Sequence, residues 1–217
     1  MTPPEPQDPG ALEPEPVEAQ AVFGDRLDVV RRYVADLAEH GETLGLIGPL
    51  EVPRLWSRHV LNSGLLGPFL PEGASVADVG SGAGLPGLVV AAARPDLAVT
   101  LIEPMERRVA WLDEERLRLG LTNVVVERAR AEDVQPGRFD VVTARAVGAL
   151  SGLLPITARL ARPGGRLALL KGAGVDAELA KADRAVRRLR LEDVHVEIAG
   201  RGMASLETRV LLATLPT

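Results

Sequence analysis

Apolar positions along the chain change from a helical to a strand-like spacing near residue 74. Within 21–40 they recur every three or four positions, which predicts a helix that ends before Gly41. The glycines and prolines of 42–53 predict a loop, and a second helix is predicted from Pro53 to Leu66. The first 70 residues thus contribute helices and no strand.

From Ala74 onwards, short apolar runs alternate with amphipathic stretches. Strands are predicted near 75–79, 98–103, 122–127, 139–144, 166–171, 191–198 and 207–214, and helices near 85–93, 104–119, 149–161 and 176–190. Continuous apolar strands are typical of a sheet covered on both faces. The alternation predicts an α/β fold, a doubly wound and mostly parallel sheet. The last two strands, which meet at a glycine turn over 200–202, predict an antiparallel hairpin at one edge.

The charge of the chain is unevenly distributed. Residues 1–20 hold five acidic residues, six prolines and no basic residue, and they account for the whole net charge of −5. We predict that this acidic, proline-rich tail is disordered. The rest forms one domain, with an N-terminal helical part over 21–70 and a cofactor-binding core over 71–217. Because 21–217 is neutral overall, the acidic total is no argument against a nucleic-acid partner.

Composition excludes several classes of protein. Without cysteine the chain has no disulfide framework, thiolate nucleophile or cysteine zinc site. Its three histidines, His40, His59 and His195, lack metal-ligand spacing, so we expect no metal. No apolar run approaches the roughly 20 residues that span a bilayer, and the N-terminus lacks the pattern of a signal peptide. We therefore expect a cytoplasmic protein without membrane contact.

A glycine-rich loop follows the first predicted strand. Residues 76–87 read Val-Ala-Asp-Val-Gly-Ser-Gly-Ala-Gly-Leu-Pro-Gly, so the strand closes on Asp78. Glycines let a backbone turn sharply and approach a ligand closely. A carboxylate beside the turn favours a cationic or hydroxyl-bearing ligand over a pyrophosphate. This favours S-adenosylmethionine, while a dinucleotide remains the alternative because Glu103 also has the offset of a dinucleotide fingerprint.

Polar residues follow the other strands at the edge where ligands of open α/β sheets bind. Glu103 comes after the second strand and can accept hydrogen bonds from both ribose hydroxyls. Ala131 and Glu132 come after the third and suit the adenine, Arg145 comes after the fourth, and Lys171 after the fifth. Alternatives stay open: Glu103 as a cap of the following helix, Glu132 or Asp133 as a solvated turn residue, and Arg145 and Lys171 as structural residues at strand ends.

These residues, in this order, resemble the glucose-inhibited division protein B family over about residues 22–217. The matching segments are 58–63 (Arg-His-Val-Leu-Asn-Ser), 78–87, Glu103, 106–109, Ala131-Glu132, Arg145-Ala146 and Lys171-Gly172. The resemblance implies a class I methyltransferase fold, a Rossmann-like sheet, and methylation of guanine N7 in bacterial small-subunit ribosomal RNA with S-adenosylmethionine. It implies cofactor contacts at Gly80, Leu85, Ala131, Glu132 and Arg145, to which the chemistry of the residues adds Asp78, Gly82 and Glu103.

The implied reaction suits the residues present. Guanine N7 has a lone pair and no proton to lose, so the reaction needs alignment of the reactants more than a base, a metal or a covalent nucleophile. We assign catalytic roles to Arg145 and Lys171, and contacts with substrate RNA to Arg58, His59, Arg145 and Lys171. His59 could instead pack against or cap a helix. The expected partner of this monomer is small-subunit ribosomal RNA, free or within a precursor or intact subunit.

Two departures from the family pattern fall in the N-terminal part. Residues 40–49 lack two asparagines that many members carry, and Asn62-Ser63 stands where the family often has Asp-Ser. We expect these departures to affect RNA contacts and to leave the cofactor site intact. Two other functions remain open: a class I methyltransferase acting on a small molecule or protein, and a nicotinamide-binding Rossmann protein.

Overall fold

Seven strands form one sheet in a computed structural model that describes residues 11–145, 148–203 and 206–217. They are β1 (Ser75–Val79), β2 (Ala98–Ile102), β3 (Val124–Glu127), β4 (Phe139–Ala144), β5 (Ala161–Lys171), β6 (Glu192–Ala199) and β7 (Thr208–Thr214). Their order is β3-β2-β1-β4-β5-β7-β6. Strands β1 to β5 pair in parallel, whereas β7 is antiparallel to β5 and β6. The predicted parallel sheet with an antiparallel edge hairpin is confirmed.

Helices cover both faces of this sheet. Within the described ranges they are α1 (Ala19–Phe23), α2 (Leu27–His40), α3 (Asn62–Gly64), α4 (Gly87–Ala93), α5 (Glu106–Arg118), α6 (Leu150–Leu160) and α7 (Val175–Leu189). Side chains of α1, α2, α4 and α5 form one hydrophobic cluster, and those of α6 and α7 form a second. Neighbouring strand residues alternate between the clusters, as Val76 and Ala77 do in β1. No helix in these ranges is long and apolar enough to cross a membrane.

The segment predicted as one helix over 53–66 is helical but of mixed type. It consists of a 3₁₀ turn (Val52–Arg54), a π-helix (Leu55–Leu61) and α3. Its buried residues form two pairs spaced by five positions, Leu55 with Val60 and Trp56 with Leu61. The wider π-helical turn places both members of each pair on the core side. The sequence predicts the helical region correctly but not the helix type.

The N-terminal segment packs against the domain from residue 11. Glu13 accepts a hydrogen bond from the backbone N–H of Ser57 at 2.7 Å, and Glu15 pairs with Arg31 at 2.7 Å. Helix α1 then begins at the fully buried Ala19. The expectation of a disordered tail over 1–20 therefore does not hold for residues 11–20, because their acidic side chains find partners on the domain. Residues 1–10 lie outside the described residues.

Helix α4 starts in close contact with β1 and β2. The backbone N–H of Gly87, its first residue, donates to the Oδ2 atom of the fully buried Asp78 at 3.0 Å. A Cβ atom on Gly87 would lie 2.2 Å from Leu101 Cδ2 and 2.6 Å from Asp78 Oδ2. Only a glycine therefore allows the helix to begin this close to the sheet.

A buried carboxyl group links α2 to α5. Glu115 of α5 is fully buried, and the guanidinium of Arg118 lies 3.5 Å from its Oε1 and 3.0 Å from Oδ1 of Asp36 in α2. Burial raises the pKa of Glu115 to about 7, and the neighbouring Asp36 adds to this rise while Arg118 opposes it. The stability of this helix contact therefore depends on pH near neutrality.

Gly87→Ala should lower the free energy of unfolding by at least about 1–3 kcal/mol, since the added methyl group overlaps β2 and the Asp78 carboxylate. Urea denaturation followed by circular dichroism measures the change. Gly152→Ala is the matched control: Gly152 also lies in a helix, α6, and its Cβ would meet nothing within 4 Å. The control should be neutral or up to about 1 kcal/mol more stable. Equal effects of the two substitutions would contradict the packing argument.

Glu115→Gln should make the free energy of unfolding less dependent on pH between about 4.5 and 7. In this window the folded protein keeps a proton that the unfolded chain releases, so the wild-type free energy of unfolding falls as pH rises and levels off above the folded pKa. The variant should gain up to about 3 kcal/mol relative to the wild type across the window. Urea titrations at several pH values measure this. Asp113→Asn, which affects a pair with Arg116 on the same helix, should leave the slope unchanged.

Candidate functional site

The loop between β1 and α4 has a backbone that only its glycines adopt easily. Gly80, Gly82 and Gly84 have φ angles of +70°, +56° and +103°. The N–H groups of Gly80 and Ser81 both donate to the carbonyl oxygen of Ile102, at 2.9 and 3.3 Å. The loop is therefore tied to the end of β2, and its N-terminal half faces the edge where the parallel strands end.

Two aromatic side chains hold the middle of this loop. The carbonyl oxygen of Ala83 accepts hydrogen bonds from the Tyr33 hydroxyl at 3.1 Å and from Trp111 Nε1 at 2.9 Å. Tyr33 comes from α2 and Trp111 from α5, and both are buried. Burial raises the pKa of Tyr33, which keeps the hydroxyl a donor. Sequence reasoning missed this clamp; the one available signal is that tyrosine occurs once and tryptophan twice in the chain.

Two acidic residues predicted to bind the cofactor lie directly against the loop. Asp78 is fully buried, and its Oδ1 atom has no hydrogen-bond partner among the described residues. Burial raises the pKa of Asp78 to about 6, although the N–H of Gly87 opposes this rise. Glu103 accepts from the N–H groups of Gly82 and Met105, both at 3.0 Å. Glu103 therefore orders the loop and also contacts the backbone at the start of α5, as the capping alternative predicts, while its contact with the ribose hydroxyls stays a prediction.

A cavity of about 250 Å³ lies over the glycine loop, and we call it the loop cavity. Its walls are Leu46, Ile47, Gly48, Glu51, His59, Gly80, Ser81, Gly82, Ala83, Leu85 and Arg145. The predicted residues Gly80, Gly82, Leu85 and Arg145 thus meet in one place. Residues 46–48 belong to the segment that departs from the family pattern, so that segment borders the loop cavity.

A second cavity, of about 560 Å³, lies beside the first. Its walls include Arg58, His59, Asn62, Arg145, Lys171, Glu178, Glu207 and Arg209, and we call it the cationic cavity. All four residues predicted to contact RNA line it. His59 and Arg145 belong to the walls of both cavities. The two spaces therefore meet at these two side chains.

Arg145 occupies this junction with its donors available. It follows the last residue of β4, and its backbone pairs with Leu170 of β5. Within the described residues its guanidinium has no hydrogen bond or ion pair. Burial lowers the pKa of Arg145, while Tyr33 and Asp78 favour its charged form. A half-buried cation with unused donors is expected to bind a ligand. Ala146, the other residue of the predicted Arg145-Ala146 motif, lies outside the described residues.

His59 is oriented by an acidic residue that sequence reasoning missed. Its Nε2 atom lies 2.5 Å from Glu51 Oε2, and Glu51 also pairs with Arg54 at 2.8 Å. Burial and the charge of Arg145 lower the pKa of His59. The neutral ring therefore donates from Nε2 to Glu51. His59 lines both cavities and its side chain is largely buried, so its contact with RNA stays a prediction. Nothing in the sequence singles out Glu51.

The remaining predicted residues are placed less simply. Lys171 is only 8 % exposed and pairs with Glu178 at 2.7 Å, so its charge is largely neutralised. Arg58, by contrast, is 59 % exposed, and its one ion pair within the described ranges is a distant contact of 3.8 Å with Glu51. Ala131 and Glu132 lie in a turn after β3 and line neither cavity. Their contacts with the cofactor stay predictions.

Solved structures share the fold at low sequence identity. An S-adenosylmethionine-dependent methyltransferase from Aquifex aeolicus superposes with a TM-score of 0.56 at 20 % identity, over 79 % of this chain and 98 % of the other. A predicted O-methyltransferase from Agrobacterium tumefaciens gives a TM-score of 0.57 at 17 % identity, over 73 % and 81 % of the two chains. These similarities support the class I methyltransferase fold.

Some relatives found by sequence are much more similar to this chain than these solved structures are. A protein of Clavibacter michiganensis subsp. michiganensis named ribosomal RNA small subunit methyltransferase G is 55 % identical over 207 residues, which cover 95 % of this chain and 98 % of that one. A protein of the same name from Corynebacterium glutamicum is 44 % identical over 90 % of each chain. The family model described as rRNA small subunit methyltransferase G matches residues 26–207. The chain belongs to this family (GidB), and it combines a class I methyltransferase fold with S-adenosylmethionine as its cofactor.

Proposed function

We propose that this enzyme transfers a methyl group from S-adenosylmethionine to N7 of one guanine in small-subunit ribosomal RNA. The observation that carries the proposal is the meeting of the loop cavity and the cationic cavity at His59 and Arg145. A methyl donor in the first cavity and an RNA base in the second would come together there. Relatives named for ribosomal RNA methylation support the substrate, and a ribosomal substrate implies that the enzyme works in the cytoplasm.

The residues around the loop fit the proposed cofactor. S-adenosylmethionine supplies a methyl group on a positively charged sulfur. The carboxylates of Asp78 and Glu103 lie against the loop, and Oδ1 of Asp78 is a buried acceptor without a partner. A cation with amino and hydroxyl donors matches these acceptors, whereas a pyrophosphate would be repelled. We infer that Gly80, Gly82 and Leu85 contact the cofactor, with Ala131 and Glu132 beside its adenine.

Arg145 is suited to hold the target base without blocking the reaction. Arginine commonly binds guanine through O6 and N7 together. N7 must keep its lone pair free to receive the methyl group, so we assign the donors of Arg145 to O6 or to a neighbouring phosphate. Since N7 carries no proton, His59 need not act as a base. Its neutral ring, fixed by Glu51, then shapes the passage between the cavities.

The positive charges of the cationic cavity attract the RNA backbone. Arg58 is exposed, and Arg145 and Arg209 line the same walls. Lys171 contributes little free charge because Glu178 pairs with it. We therefore assign phosphate steering to the arginines and reserve a positioning role for Lys171. Methylation of a small molecule or a protein is not favoured, because the relatives are named for ribosomal RNA.

Isothermal titration should show that the protein binds S-adenosylmethionine and not NAD. Glu103→Ala should weaken S-adenosylmethionine binding at least about tenfold, through loss of a charged acceptor and of the loop contact with Gly82. Glu106→Ala is the control, because Glu106 is an exposed residue of the same helix start that pairs with Arg128. Binding of NAD, or equal affinities of the two variants, would contradict the assigned cofactor site.

A strain lacking the gene should lose one 7-methylguanosine from its small-subunit ribosomal RNA, as measured by mass spectrometry of nuclease fragments. The wild-type gene should restore the modification, and Arg145→Ala should not, because the base is no longer held at the junction of the cavities. Arg187→Ala, which removes an exposed pair with Asp183, is the control and should restore it fully. Retention of every 7-methylguanosine in the deletion strain would refute the proposed substrate.

A further inference from the structure

The cationic cavity contains two carboxylates that binding of phosphate does not explain. Glu178 and Glu207 lie in a wall that also holds Arg58, Arg145 and Arg209. A carboxylate repels the phosphate groups that such a wall attracts. A carboxylate oxygen that faces the cavity can instead accept a hydrogen bond from a donor group of the ligand. The bases of RNA are the part of the substrate that carries such donors.

Glu178 is the carboxylate that the structure holds in place. It lies in the first turn of α7, and its buried Oε2 atom forms an ion pair with Lys171 Nζ at 2.7 Å, without a hydrogen bond of its own among the described residues. Lys171 is itself 8 % exposed at the end of β5, so the pair links α7 to the sheet. Glu178 remains 38 % exposed, and its Oε1 atom has no partner among the described residues. Glu207 is exposed and makes no comparable contact there.

Recognition of the target guanine has to avoid its reacting atom. An N–H donor on N7 would occupy the lone pair that receives the methyl group. The remaining polar groups of guanine are the O6 acceptor and, on its Watson–Crick edge, the adjacent N1–H and N2–H₂ donors. A single carboxylate can accept from both donors. Adenine presents an N1 acceptor on that edge, which repels a carboxylate.

We propose that Glu178, held by Lys171, binds the Watson–Crick edge of the target guanine and selects it against other bases. This inference rests on the proposed function, which places a guanine in the cationic cavity. Enzymes that modify a base outside its stack commonly bind it by this edge. Arg145 on O6 and Glu178 on N1 and N2 would grip neighbouring groups of one base and leave N7 uncovered.

The same carboxylate would also favour the reaction electrostatically. In the transfer, the N7 lone pair forms the bond to the methyl carbon while the carbon–sulfur bond breaks and its electron pair stays on sulfur. No proton leaves, so the positive charge that was on sulfur arises on the guanine ring. A fixed carboxylate next to N1–H stabilises this charge in the transition state. Glu178 should therefore affect kcat as well as the choice of base.

The test uses substrate in which the target guanine, once identified, is replaced by inosine, which lacks only the N2 amino group. The substrate is the RNA or ribosomal particle that supports wild-type activity. The wild type should methylate inosine at least about tenfold more slowly than guanine, because inosine lacks one hydrogen bond to a charged acceptor. Glu178→Gln should be at least about tenfold slower on guanine and should treat guanine and inosine alike within about threefold.

In Glu178→Gln the amide oxygen still offers an acceptor to Lys171. Thermal denaturation verifies that this variant keeps the fold, and titration with S-adenosylmethionine verifies that it keeps the cofactor affinity. Asp183→Asn is the control on α7, since Asp183 pairs with Arg187 on the exposed face; it should keep the wild-type rate and base ratio. Three results would overturn the inference. Glu178→Gln could keep the wild-type ratio of the rates on guanine and inosine, or Glu207→Gln could lose that ratio instead. The wild-type enzyme could also methylate inosine as fast as guanine. Failure of the wild type on guanine would refute the proposed function itself.

Discussion

The hydrogen bonds to the carbonyl oxygen of Ala83 hold the functional site in place. Tyr33 and Trp111 reach this one atom from α2 and α5, and both are buried in the larger hydrophobic cluster. A loop with three left-handed glycines has little conformational preference of its own. Its shape therefore depends on these donors and on Glu103, and helix α2 of the N-terminal part supports the loop cavity through Tyr33.

The sequence predicts most of the fold because its signals are local. Short, mostly apolar runs such as that of β1 and the helical spacing of α5 give most strands and helices to within a few residues, and their alternation gives the parallel sheet. The π-helix Leu55–Leu61 escapes prediction because a spacing of five is rarely used. The order of residues 11–20 also escapes it, since the acidic side chains are fixed by partners distant in the chain, such as Ser57 and Arg31.

Only part of the site can be predicted from the sequence, because some of its features are local and others depend on partners distant in the chain. Glycines, and charged residues at strand ends, can be found from the sequence because the topology brings strand ends together. Pairings between side chains cannot be found in this way. The sequence shows neither that Glu178 neutralises Lys171 nor that Glu51 orients His59. These pairs decide which charges remain available to a ligand. Lys171 looks like a phosphate ligand in the sequence, and the structure makes it the support of a carboxylate.

With the cofactor in the loop cavity and the target guanine in the cationic cavity, as proposed, methyl transfer moves the positive charge from acidic to basic surroundings. The charge starts near Asp78 and Glu103, which lie against the loop. Afterwards it lies on the base, in a cavity whose walls carry Arg58, Arg145 and Arg209. These arginines attract the unmodified RNA through its phosphates but repel the methylated base. The walls that attract the substrate therefore also favour release of the product. While the bond forms, a local acceptor has to stabilise the positive charge that arises on the base.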